Sequence, residues 1–254
     1  MVLVEMIVKP DSFSGVLWHT FDSYLRNFKF LLLFSIPFLI VLPLSMLLPN
    51  FIAMGGIFLR FGSISRDLGL FDLGVIAVAF CISLLLFSFG LVAINFVIKT
   101  ERTLKTISFY EFEKIELYTL KLFTVFFAAF IISLAASIAL YEYGLHSTLG
   151  AIVSLVAALL VIFAPQAVVM DNQNAIHIPK ISLSIMTRKF PLFLSYLVIA
   201  LVLMLVVTQL CLWLAPSFGA INAQLLAVAI NAVLIVPFLE VLKSQIYLSK
   251  YTLL

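Results

Sequence analysis

Charged residues divide this sequence into long stretches that contain none. Charge-free windows run from Phe30 to Leu59, Leu73 to Ile98, Leu122 to Tyr141, Tyr143 to Met170 and Phe190 to Leu239. A charge at mid-bilayer costs roughly 2.5–3.5 kcal/mol or more, so charges mark where apolar spans end. A helix needs about 20 residues, at about 1.5 Å each, to cross the hydrocarbon. Four windows therefore hold one span each. The fifth is long enough for two and is divided by the turn signal Pro216-Ser217-Phe218-Gly219. Six helices are predicted, near residues 30–48, 73–98, 122–141, 149–170, 191–214 and 220–241. The windows are continuously apolar rather than alternating every second residue, which argues against a transmembrane β-barrel.

A second pattern precedes the odd-numbered spans. From Asp11 to Lys29, Phe13, Leu17, Phe21, Tyr24, Leu25 and Phe28 recur at helical spacing, while Ser12, His19, Asp22, Ser23 and Arg26 fall off that stripe. Such a helix suits the membrane interface. Ser108 and Glu111 form a capping-box signal, followed by Phe112, Ile115, Tyr118 and Leu122. Pro179 suits a first helical turn ahead of Ile181 and Ile185. Each segment ends in a basic residue and an aromatic: Lys29-Phe30, Lys121-Leu122-Phe123 and Lys189-Phe190. Each return span then carries a weak point, at Gly90, Pro165 and Pro237, with a spacing of roughly 75 residues. The predicted fold is an all-α integral membrane protein of six transmembrane helices as three hairpins, each preceded by a cytoplasmic interfacial amphipathic helix. Residues 1–254 form one polytopic domain with repeats at 11–98, 106–170 and 179–247. The first outer connection, about 49–72, departs from the plan and suits either a short re-entrant piece or a flexible loop.

Composition agrees. Of 254 residues 64% are hydrophobic and 11% charged, and the mean hydropathy is +1.24. Soluble chains carry about 25% charged residues, so there is too little polar surface for a water-soluble globule. Disorder, a coiled coil and a nucleic-acid module are excluded by the same comparison. The basic residues are one-sided. Lys9, Arg26, Lys29, Lys99, Arg102, Lys105, Lys114, Lys121, Lys180, Arg188, Lys189, Lys243 and Lys250 fall on one side, and Arg60 and Arg66 on the other. The positive excess marks the cytoplasmic face, so both termini are expected in the cytoplasm, with the chain in the cell membrane. No cleavable signal peptide is expected. Cys81 and Cys211 fall inside spans and read as apolar filling.

The stretch Phe163-Ala164-Pro165 to Asp171, then Ile181-Ser182-Leu183-Ser184 and Arg188-Lys189-Phe190, leads into a new span. With the ending Pro237-Phe238 to Tyr247, it resembles a multi-pass membrane domain found alone in many prokaryotes and fused to some glycerophosphodiester phosphodiesterases. That resemblance implies a six-helix membrane domain with no catalytic residues of its own.

The residues by themselves offer little chemistry. No Gly-x-Ser-x-Gly or His-Glu-x-x-His occurs, and His19, His146 and His177 lie in different connecting segments. The aspartates are scattered over both sides. No enzyme activity, metal or cofactor is expected. Asn231 and Gln209 lie within spans, where amides more often bridge helices than bind substrate. One concentration of polarity remains: Asn95, Gln166, Asp171, Glu240 and Lys243 near the inner ends of the second, fourth and sixth spans. Two arrangements are open. The residues converge on an inner-leaflet polar pocket, opened by kinks at Gly90, Pro165 and Pro237 that splay the inner halves. Otherwise they are separate helix ends in headgroup water, with Glu240 and Lys243 paired at i, i+3, which is the more ordinary arrangement. Arg26, Lys29, Lys121, Arg188 and Lys189 are expected to contact lipid headgroups. The function expected is that of a non-catalytic, lipid-interacting or lipid-handling membrane protein, whose partners are lipids and not nucleic acid. The alternatives are a scaffold or partner subunit of another membrane protein, or a small-molecule transporter not driven by a mid-membrane ionisable residue.

Overall fold

A computed structural model describes residues 13–47, 51–54, 57–60, 70–103, 109–141 and 143–249. Lys9, Arg66, Lys105, Ser108 of the expected capping box, and Lys250 lie outside these. Almost everything described is helical. Five helices are long and apolar enough to cross a membrane: Ala77–Glu101, Glu113–Tyr141, Thr148–Asp171, Phe190–Trp213 and Asn222–Leu248. A sixth is reached when the bent pair Phe13–Arg26 and Phe28–Val41 is counted.

Helix α1 (Phe13–Arg26) meets α2 (Phe28–Phe34) at a bend of 78°. Gly15, Val16, Thr20 and Ser23 of α1 are buried, whereas Trp18, Phe21 and Leu25 face away from the protein. Small and hydroxyl side chains allow close approach of helix backbones, and this face packs on the final helix. The first span is not one helix. It breaks at Ser35 between α2 and α3 (Ile36–Leu47), just before Pro37, which has no N–H to offer the Leu33 carbonyl. Beyond it, β1 (Phe51–Met54) and β2 (Ile57–Arg60) pair antiparallel, with Phe51 opposite Arg60 and Met54 opposite Ile57. The described part of this outer connection is thus a hairpin.

Helix α4 (Leu70–Thr103) runs unbroken through Gly90, contrary to expectation. Glycine is tolerated inside a helix at a cost of about 1 kcal/mol. Here it makes room: a Cβ at Gly90 would lie 2.6 Å and 2.8 Å from two ring carbons of Phe38 on α3. Helix α5 (Phe109–Tyr141) is also continuous over 33 residues, about 50 Å. The expected second interfacial helix is therefore the first turns of α5 rather than a separate element. No Gly or Pro interrupts Phe109–Tyr141, and Lys121 marks a change of environment, not a helix end.

The fourth span opens in a π-helical turn, His146–Gly150, continues as α6 (Ala151–Val161), and breaks at Ile162-Phe163 before α7 (Ala164–Asp171). Asn172 closes α7 in the left-handed conformation at φ 52. Helix α8 (Ile178–Arg188) holds Pro179 in its first turn and buries Ile178, Ser182 and Ile185. Then follow α9 (Phe190–Trp213), the short α10 (Ala215–Phe218), and Gly219, whose φ of +85 makes the turn. The last span is α11 (Ala220–Ile230), a π-helical turn at Asn231–Ile235, and α12 (Val236–Leu248). The π turn sits immediately before Pro237, where the regular ladder loses a donor. Helix α12 extends seven residues past the expected end at 241, which puts Glu240 and Lys243 inside the helix rather than at its tip.

The helices α4, α7 and α12 touch one another pairwise. Around them, α1 packs on α12, α5 on α4, and α8 on α6 and α7. Neighbours in sequence also pack: α3 on α4, α5 on α6, and α9 on α11.

Candidate functional site

The carboxyl-terminal half of α4 buries every residue from Leu91 to Ile98; α6 and α7 bury Val161 to Val169, and α12 buries Leu239 to Ser244. These segments are therefore packed, not splayed, which corrects the cavity expected from the kinks. Polar residues nevertheless meet there. Glu240 is 2% exposed and Lys243 0%. The two form a buried salt bridge within α12. Asn95 Nδ2 of α4 donates to Glu240 Oε2 at 3.2 Å, and Gln166 Nε2 of α7 donates to the same oxygen at 3.1 Å. Ser244, one turn beyond Glu240, shares its one hydroxyl proton between Asn95 Oδ1 at 2.7 Å and the Glu240 carbonyl at 2.8 Å. Four of the five expected residues thus converge. The i, i+3 pair forms as the ordinary arrangement required, but inside the bundle rather than in headgroup water.

Energetics explain why the cluster is closed. Removing a charged pair from water costs several kcal/mol per ion, repaid only when the remaining lone pairs and protons are also engaged. Glu240 receives two amide donors besides the ammonium, and Lys243 Nζ donates further to the Ile162 carbonyl at 3.3 Å.

The breaks in the fourth and last spans are served by side chains. Ile162 lies in the turn between α6 and α7, and its carbonyl is met by Lys243. In the same turn Ser182 of α8 donates to the Leu159 carbonyl at 3.1 Å and accepts from the Phe163 N–H at 3.5 Å. At the second break Tyr24 of α1 donates to the Leu234 carbonyl at 3.2 Å, inside the π turn. Gln166 and Asn95 both serve Glu240, and the breaks are met by Lys243, Ser182 and Tyr24. Asn231 Nδ2, at the start of that turn, lies 3.5 Å from Thr208 Oγ1 of α9 and bridges two spans.

Asp171 stands apart, half-buried at the end of α7, where Tyr247 donates to it at 2.7 Å. Lys99, not among the expected site residues, donates to the Val169 carbonyl and lies 5.5 Å from the Tyr118 ring centroid. It thereby places positive charge at the carboxyl end of α7, where the helix dipole favours it.

The expected headgroup residues divide. Lys29 and Arg188 are exposed and Lys189 is half-buried. Lys121 donates to Asn172 Oδ1 at 2.8 Å. Arg26 pairs with Asp22 and, at 3.4 Å, with Glu101 of α4. Asn27 Nδ2 also donates to Glu101, at 2.8 Å, as does Ser23 Oγ. Glu101 thus pins the elbow between α1 and α2. Only the i+4 spacing of Ser244 from Glu240 was a usable signal for the missed residues; Lys99, Ser182, Tyr24 and Glu101 act over 19 to 210 positions of sequence separation. Compared with known proteins, the chain matches no family model, no curated protein and no solved structure.

Proposed function

We propose that the chain is a non-catalytic multi-pass protein of the cell membrane, with cytoplasmic termini, that engages lipid at the inner leaflet through helices lying in the interface. The observation that carries this is α1: it meets the first span at 78° and turns Trp18, Phe21 and Leu25 away from the protein. A helix in that attitude, ending in Arg26 and followed by Lys29, fits the boundary between acyl chains and anionic headgroups. The packing of α3 on α4, α5 on α6 and α9 on α11 supports three transmembrane hairpins. The proposal includes the resemblance to the multi-pass domain fused to some glycerophosphodiester phosphodiesterases.

The chain has two tryptophans, Trp18 and Trp213, so Trp213→Phe leaves Trp18 as the sole reporter. Reconstituted into vesicles with lipids brominated at successive acyl depths, Trp18 should be quenched most by the shallow position. Fluorescence indifferent to all brominated lipids would refute the interfacial placement of α1. A second reading, a scaffold or partner subunit, is favoured by the closed inner core, since a permanently packed polar cluster suits a static support. A small-molecule transporter would require that core to open.

A further inference from the structure

The broken turn between α6 and α7 does more than kink a span. A helix interrupted in a low-dielectric bundle releases carbonyl oxygens, and such oxygens beside a carboxylate are what membrane proteins use to hold a small monovalent cation. All the parts are here. Pro165 cannot donate to the carbonyl four residues before it, and the adjoining Ile162 carbonyl points at the cluster, 3.3 Å from Lys243 Nζ. The Glu240 carboxylate supplies the negative charge, braced by Asn95 and Gln166 at 3.2 Å and 3.1 Å on its other oxygen. Gln166 Oε1, on the amide that braces Glu240, is buried and has no donor among the described residues. The shell on the ammonium therefore holds a carboxylate and a carbonyl from the broken turn, both enclosed, while the spare amide oxygen makes no hydrogen bond to it.

We propose that this shell is a monovalent-cation site whose resident cation is the protein's own Lys243 ammonium. The lysine reaches the site along α12 from one turn beyond Glu240, so the cation is delivered by the fold and cannot exchange with solvent. The consequence is a core whose charge balance is independent of the ions on either side of the membrane. Removing the amine should expose the site to an external cation of the same chemistry, a primary ammonium small enough to fill the space the side chain leaves.

The test compares thermal unfolding of the purified full-length protein and its Lys243→Ala variant. Each is measured in n-propylammonium chloride and, at equal ionic strength, in choline chloride. The parent should unfold at the same temperature in both salts. In choline the variant should unfold on the order of 10 °C lower, as expected for an uncompensated buried charge in a chain of this size. It should regain at least half of that in n-propylammonium. An unshifted variant, or one helped no more by n-propylammonium than by choline, would overturn the proposal. A second comparison decides the matter if Lys243→Ala does not accumulate. Lys243→Met leaves Glu240 unanswered, whereas Glu240→Gln with Lys243→Met removes the cation and its counter-charge together. The double variant should be recovered as monodisperse protein at a yield several-fold above that of Lys243→Met. Equal yields would show that the amine does not answer Glu240.

Discussion

Helices α9 and α12 make an instructive pair. Both belong to strongly apolar spans of similar length, Phe190–Trp213 and Asn222–Leu248. Yet only 17% of the α9 span is buried inside the protein, with Leu201, Val202, Leu205 and Val206 all facing outward. Helix α12 is buried on nearly every side, and it carries Glu240, Lys243 and Ser244. In water the apolar helix would be central and the charged one peripheral. In lipid the relation inverts, because acyl chains solvate Leu and Val as well as a protein core does, while polar side chains must find partners in other helices. Polarity, not hydropathy, locates the centre of this bundle.

The comparison can be broken most sharply at its centre. Glu240→Ala leaves the Lys243 ammonium buried without its carboxylate, and a loss of about 3–5 kcal/mol is expected, read as a large drop in unfolding temperature or in recovered protein. Gly90→Ala comes next. The added methyl would fall within 2.6 Å of the Phe38 ring, which is 1% exposed and hemmed in. Overpacking of this kind costs about 1–3 kcal/mol, and combining it with Phe38→Leu should restore part of the loss. Ser182→Ala removes both the donor to Leu159 and the acceptor for Phe163, for about 1–3 kcal/mol. At the far end of the scale lies α9. Val202→Ala should change the unfolding temperature within the range of about 0.5 kcal/mol expected of a surface position. A Val202→Ala effect as large as that of Glu240→Ala would mean that α9 is not peripheral.

Much of this was legible beforehand, for reasons that particular residues make plain. Charges cannot sit in hydrocarbon, so Lys99, Asp171 and Lys189 bracketed their spans to within a few residues. Pro165 and Pro237 fell beside the breaks in the fourth and last spans because proline's missing N–H acts locally. Gly90 misled for the opposite reason: its role is set by Phe38, 52 positions earlier, and no local pattern reveals a close approach. The boundary expected near Leu122 was an inference from charge to helix end, and charge limits only depth. The polar residues were picked out correctly one by one. Their convergence was not, because Asn95 and Glu240 are 145 positions apart and only the packing of α4, α7 and α12 brings them together.

The bond between Tyr24 and the Leu234 carbonyl has a bearing on biogenesis. Helix α1 is made early, but its docking surface, α12, and the carbonyl that receives its hydroxyl come more than 200 residues later. At roughly 5–20 residues per second of synthesis, α1 waits roughly ten to forty seconds for them. During that interval the Gly15 and Thr20 face has no α12 to lie on. The elbow pinned by Glu101 can form much sooner, once α4 has been inserted. The ribosome therefore sets the order of the two attachments: the hinge of α1 is fixed first, and the helix closes over the bundle only after α12 has entered the membrane.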